Sequence, residues 1–276
     1  MSPSHHFITC QNLEIHYTEW GDPTAPVVIC WHGLTRTGRD FDELAAELGK
    51  RYRVICPDTP GRGLSQWSDR PLEHYIVPFY AQVAVDLLNQ LGIDQFKWVG
   101  TSMGGLIGMV VAALVPERMQ QLVLNDVGPE VPVTAVERIR TYAGSQPTFN
   151  NVSELEAWLR LVYIPFGENT DTFWRRMAMT SARRTEAGQV TLHYDVRLVL
   201  PFENYTGEET LWPVWSHIAC PILIIRGELS DLLSTNQVTK MLAENPKAQA
   251  VEIAKVGHAP TLATPAQIGI VSDFLG

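Results

Sequence analysis

The stretch Phe96-Lys97-Trp98-Val99-Gly100-Thr101-Ser102-Met103-Gly104-Gly105 decides how the chain is read. Phe96 to Val99 reads as a short strand, and a helix runs from about Met103 to Leu114, so strand passes into helix with almost no loop. Gly100 and Gly104 flank the junction because a Cβ at either position would collide across so sharp a turn. The residue between them, Ser102, is lifted clear of the backbone. Its hydroxyl then stands at a helix N-terminus, beside amides that lack intrahelical partners.

Outward from this junction the same alternation recurs. Val27-Val28-Ile29-Cys30 is apolar throughout, as in a strand covered on both faces. Phe41, Leu44, Ala45 and Leu48 follow at helical spacing, with Asp40 and Glu43 placed like a capping box. Arg53 to Cys56 reads as a strand, Val77 to Leu91 as a helix, and Gln121 to Leu124, Pro221 to Ile225 and Ala250 to Ile253 as further strands. Phe7 to Cys10 and Leu13 to Trp20 form a hairpin ahead of them. The expected fold is α/β: a mostly parallel, doubly wound sheet.

From Gly128 to about Trp215 the alternation stops, and the sequence becomes helical and aromatic. This predicts a core of residues 1–127 and 216–276 with a helical cap inserted at 128–215. Ser153 and Asp171 are the candidate N-caps of two cap helices. Trp158, Phe166 and Trp212 are candidates for the cap's share of a pocket.

Composition narrows the function. The chain has 276 residues, 45% hydrophobic, and a formal net charge of −9, enough for a sizeable core and the wrong sign for a nucleic-acid partner. Arg175-Arg176 and Arg183-Arg184 read as solvated helix faces. No apolar stretch is long enough to span a membrane, and the first residues do not resemble a secretory signal; the expectation is a cytoplasmic protein without a membrane partner. The four cysteines form no C-x-x-C pair and no zinc spacing, so no metal site is expected.

A serine hydroxyl needs a base to take its proton. Of the eight histidines, only His32 and His258 follow core strands. His32 belongs to Trp31-His32-Gly33-Leu34, where it would hold the loop by hydrogen bonds. His258, after the last strand, is the candidate base. A carboxylate must then fix the imidazole. Asp231, in the loop after strand 222–225, is the leading candidate; Asp126, directly after strand 121–124, is the alternative; Glu228 reads as loop support. The amides of Leu34 and Met103 would stabilise an oxyanion.

These pieces resemble the α/β-hydrolase superfamily, of the carboxylesterase and lipase-like kind with a helical cap. Besides the elbow around Ser102, the resemblance covers His32-Gly33, Asp58-Thr59-Pro60-Gly61-Arg62-Gly63-Leu64-Ser65, Pro116-Glu117-Arg118 and Gly257-His258. It implies cleavage of a small apolar ester through an acyl-enzyme, with no cofactor, because backbone dipoles serve the developing charge. Lactonases and carbon–carbon bond hydrolases resemble the same layout; the latter would need a basic cap residue, for which Arg138, Arg160 and Arg197 are the candidates. A ligand-binding protein on this scaffold commonly lacks a triad member, whereas all three positions are filled here. Dehalogenases and epoxide hydrolases carry an aspartate where this chain has Ser102.

Overall fold

The computed structural model describes residues 2–276. Its strands are β1 (Ser4–Cys10), β2 (Leu13–Trp20), β3 (Val27–Trp31), β4 (Arg53–Pro57), β5 (Phe96–Thr101), β6 (Met119–Asn125), β7 (Ala182–Arg184), β8 (Val190–Leu192), β9 (Ile222–Gly227) and β10 (Ala248–Ile253). Eight of them form one sheet in the order β1-β2-β4-β3-β5-β6-β9-β10. From β4 to β10 neighbours run parallel, while β1 and β2 add an antiparallel edge. The hairpin and the apolar strands therefore fold as their patterns require.

The helices are α1 (Asp42–Leu48), α2 (Pro71–His74), α3 (Val77–Gln90), α4 (Met103–Leu114), α5 (Val133–Ala143), α6 (Val152–Val162), α7 (Asp171–Ser181), α8 (Trp212–Trp215), α9 (Thr235–Glu244) and α10 (Pro265–Leu275). The two faces of the sheet pack separately. Val28, Cys30, Val54, Cys56, Val99, Val123, Leu223 and Ile225 pack with α1 and α10. Their alternating neighbours Ile29, Trp31, Ile55, Trp98, Leu122, Leu124, Ile222 and Ile224 pack with α3, α4, α9 and the segment beyond β6. Alternation across a pleated strand is why both parities are apolar in one run.

That segment, between β6 and β9, carries α5 to α8 and also the two-stranded hairpin of β7 and β8. The hairpin is an addition to the expected all-helical stretch; its strands are only three residues long, too short to show a period of two. Gly63 donates to the His193 carbonyl and Asp195 to that of Gly61, tying the segment to the loop after β4. Local caps also differ from expectation. Asn151 and Thr170, rather than Ser153 and Asp171, accept from the first turns of α6 and α7. Asp40 caps nothing: a 3₁₀ turn precedes α1, and the carboxylate is taken by Arg36.

The elbow is anchored by tryptophans. Trp98 stacks on Trp31 with ring centroids 5.3 Å apart, and its indole donates to the Gly104 carbonyl at 3.0 Å. A Cβ on Gly104 would run into the Trp31 carbonyl, and one on Gly100 into the Gly104 backbone. Helix and strand can only meet here without side chains. Truncating this buried indole, Trp98→Ala, is expected to cost about 3–5 kcal/mol. Urea unfolding would show it as a lower midpoint at unchanged slope.

Candidate active site

Ser102 sits at φ 53°, ψ −117°, a conformation that L residues rarely adopt, held by its amide donating to the Asn125 carbonyl at 2.9 Å. The turn aims its hydroxyl at the loop after β10. There His258 Nε2 lies 2.9 Å from Ser102 Oγ. The opposite ring nitrogen, Nδ1, lies 2.7 Å from an oxygen of Asp126. The structure thus joins Ser102 and His258 across 156 positions of sequence.

The carboxylate partner of His258 is Asp126, which corrects the expectation for Asp231. Asp126 follows β6 directly, is wholly buried, and itself takes a positive φ of 57°. One oxygen accepts from the Gly227 amide at 2.8 Å; the other accepts from Ser230 Oγ at 2.6 Å and faces the imidazole. Asp231 is half-exposed instead and forms a bidentate pair with Arg138 of α5, at 2.7 and 3.0 Å. Its neighbour Ser230 is the residue that turns inward. Glu228 accepts from the Lys255 amide, as loop support should.

Two peptide segments lie beside the serine, one at Gly33-Leu34 and one at the start of α4. The carbonyl of Gly33 accepts from His32 Nδ1 at 2.7 Å and from the Arg36 amide at 3.2 Å. A trans peptide is planar, so pinning that carbonyl pins the Leu34 N–H on the opposite edge. Gly33 lies against Ser102: a Cβ there would stand 3.7 Å from the serine Cβ. The Ser102 carbonyl accepts from Gly105 and Leu106, which leaves the Met103 N–H as the first amide of α4. Leu34 and Met103, the residues expected to supply the oxyanion donors, line one cavity together with Ser102.

His32 is fully buried, and the Thr59 amide donates to its Nε2 at 2.9 Å. Burial pushes its pKa down to about 4, against the opposing pull of Asp58 and the Gly33 carbonyl, so the ring stays neutral and keeps its donor on Nδ1. Arg62 had no assigned role in the sequence beyond its motif. It is wholly buried, donates to the carbonyls of Leu34 and Pro60, and contacts the sulfur of Met103. One guanidinium thus contacts both the Leu34 carbonyl and the Met103 side chain. The signal for it was a positive charge placed directly between two glycines. Asn125, also unremarked, donates to Thr101 and to the Pro260 carbonyl, linking the elbow to the histidine loop.

Ser102 opens onto two cavities. One, of about 270 Å³, is mainly apolar, with Leu106, Val110, Val131, Val136, Phe202 and Leu232 in its wall. The other, of about 110 Å³, is more polar and holds Arg36, Asp40, Tyr142, Tyr163 and His258. Phe166 lines the second; Trp158 and Trp212 line neither. Arg160 and Arg197 are occupied by Glu156 and Asp195 and stay outside both. No group of three metal-ligating side chains occurs among the described residues. Burial raises the thiols of Cys10 and Cys220 to about 12 and about 11, away from nucleophilic use.

A family model for the alpha/beta hydrolase fold matches residues 26–262. The chain belongs to the α/β-hydrolase family. It is 43% identical over 268 residues to a 3-hydroxybutyrate-oligomer hydrolase of Cupriavidus necator, covering 94% of this chain and 91% of the relative. A 2-(acetamidomethylene)succinate hydrolase of Mesorhizobium japonicum is 27% identical, covering 92% and 90%. Among solved structures, an alpha/beta hydrolase from Novosphingobium aromaticivorans superposes with a TM-score of 0.89 at 36% identity, covering 99% and 98%. The chain is a hydrolase, and no helix among its described residues is long and apolar enough to cross a membrane.

The buried imidazole of His32 makes a prediction for stability. Unfolded, it takes a proton near pH 6.5; folded, only near 4. Its contribution is present above pH 6.5 and is lost as pH falls from 6.5 to 4, at most roughly 3 kcal/mol. Unfolding free energies measured across that window should fall less steeply in His32→Gln than in the parent; equal slopes would contradict the neutral buried ring.

Proposed function

We propose that the chain is a serine hydrolase of carboxylic esters, with Ser102 as nucleophile, His258 as base and Asp126 as the carboxylate that orients it. The observation that carries this reading is the continuous hydrogen-bonded line from Asp126 through His258 to Ser102, ending where two cavities meet. Asp126 holds the imidazole with its proton on Nδ1, leaving Nε2 free to accept the serine proton. Ser102 Oγ attacks the ester carbonyl, and the oxyanion forms between the amides of Leu34 and Met103. Collapse breaks the bond to the alkoxy oxygen, which takes the proton from His258, and leaves the acyl group on Ser102. Water then enters, gives its proton to His258, attacks the acyl carbonyl and releases the acid.

The apolar cavity supports an aliphatic group on one side of the scissile bond. The relative from Cupriavidus necator supports short oligo-esters of a hydroxy acid as the substrate class. The segment between β6 and β9, which walls both cavities, serves in this reading as the cap that shapes them.

Turnover of p-nitrophenyl esters of graded chain length, 3-hydroxybutyrate oligomers, lactones and a ring-fission diketone tests the class of bond; ester cleavage is expected, and exclusive action on the lactone or diketone would replace the reading. Ser102→Ala should lower kcat/KM by at least about 10⁴-fold. Asp126→Asn should cost about 10³- to 10⁴-fold, whereas Asp231→Asn should stay within a few-fold and shift stability by no more than about 1 kcal/mol. The reverse order in steady-state assays would move the acid back to Asp231.

A further inference from the structure

Arg36 lies three residues beyond Gly33, in the wall of the polar cavity that holds Ser102 and His258. It is 5% exposed. Its Nε and Nη2 make a fork with the two oxygens of Asp40, at 2.8 and 2.7 Å. The third nitrogen, Nη1, is buried and meets no acceptor in the protein. Buried guanidinium donors without a protein acceptor recur at Arg53 Nε and Arg118 Nε, but Arg36 is the one that stands in the wall of the cavity with Ser102, where an acceptor on a ligand can reach it.

The surroundings say what kind of group. Burial opposes the positive charge of Arg36, but Asp40 and, after it, the nearby Tyr163 hydroxyl more than offset it, so the guanidinium stays charged. Beside it in the wall stand two tyrosines. Burial raises the pKa of Tyr142, which keeps its hydroxyl a donor, and Tyr163 lies under the guanidinium, 5.4 Å from ring centre to Cζ, with its hydroxyl 3.1 Å from Thr35 Oγ1. The cavity is thus rich in donors, and its one carboxylate, Asp40, is already taken by the fork. Arg138 also lines it, but Asp231 holds that guanidinium by two hydrogen bonds. An anion with planar oxygens suits the remaining edge of Arg36.

We propose that Nη1 of Arg36 binds the free carboxylate of an ester substrate, so that the enzyme prefers esters ending in an acid. This rests on the ester-hydrolase reading and deepens it. In a dimer of a β-hydroxy acid the carboxylate belongs to the alcohol half, two carbons beyond the ester-bearing carbon. The alcohol half then occupies the polar cavity and the acyl half the apolar one. Hydrolysis adds water across the ester bond and releases the carboxylate-bearing half first, as a hydroxy acid.

Binding separates this claim from turnover. In Ser102→Ala protein, calorimetry with the linear 3-hydroxybutyrate dimer and with its methyl ester should show the free acid binding about ten- to a hundredfold tighter, the range of a charge-assisted hydrogen bond. Arg36→Gln in that background should bring the ratio close to one, and Arg36→Lys should leave an intermediate ratio. Arg138→Gln should keep it. Equal binding of acid and methyl ester by the Ser102→Ala parent would overturn the proposal whether or not the Arg36 variants fold, as would a ratio that survives Arg36→Gln or collapses in Arg138→Gln. Acid-selective binding with no hydrolysis of either compound by the unmutated protein would instead sink the ester-hydrolase reading and leave the carboxylate site standing.

Discussion

Asp126 has no surface in contact with solvent, and a buried carboxylate is tolerated only when its oxygens are partnered. Its partners come from elsewhere in the chain: the Gly227 amide and the Ser230 hydroxyl beyond β9, and the imidazole of His258 beyond β10. Satisfying one charge therefore fixes the ends of three strands against each other. Because β5, β6 and β9 are neighbours, the same geometry delivers His258 to the elbow of Ser102. The sheet's carboxyl edge becomes a site because a charge there demands it.

Around that line the backbone is held by groups that never touch the serine oxygen. His32 and Arg62 belong to loops after different strands, yet both act on the same peptide segment, one at the Gly33 carbonyl and one at that of Leu34. The Gly257 amide, next to His258, donates to the Pro165 carbonyl, so the segment between β6 and β9 reaches the histidine loop as well. The two cavities differ in polarity because one borders the apolar face of α4 and α5 while the other borders the loop that carries Arg36 and Asp40.

How much of this was legible in the sequence follows from which constraints are local. The elbow could be read because Gly100 and Gly104 exclude side chains within five residues, and the strands because alternate faces are both apolar. His258 was reached by elimination among residues following strands. The acid was not, since Asp126 and Asp231 both lie between Ser102 and His258 in the chain and both follow a strand. The distinction was physical: Asp126 stands two residues beyond the apolar run Leu122-Val123-Leu124 and stays inside, whereas Asp231 stands six residues beyond Ile225, among Glu228 and Ser230, where the chain has returned to solvent. Arg36 was invisible because which donors find an acceptor within the protein is a property of packing. The shifted helix caps at Asn151 and Thr170 are the ordinary one- or two-residue error of reading an end from composition.

The central claim is that Asp126, His258 and Ser102 act as one unit facing the amides of Leu34 and Met103. The crystal structure of the protein after reaction with an alkyl fluorophosphonate tests it most directly. The account predicts phosphorus bonded to Ser102 Oγ, its free oxygen within about 3.2 Å of both amide nitrogens, and His258 still bound to Asp126. Phosphorus on another residue, or an oxygen turned away from both amides with His258 bound to Asp231, would contradict it.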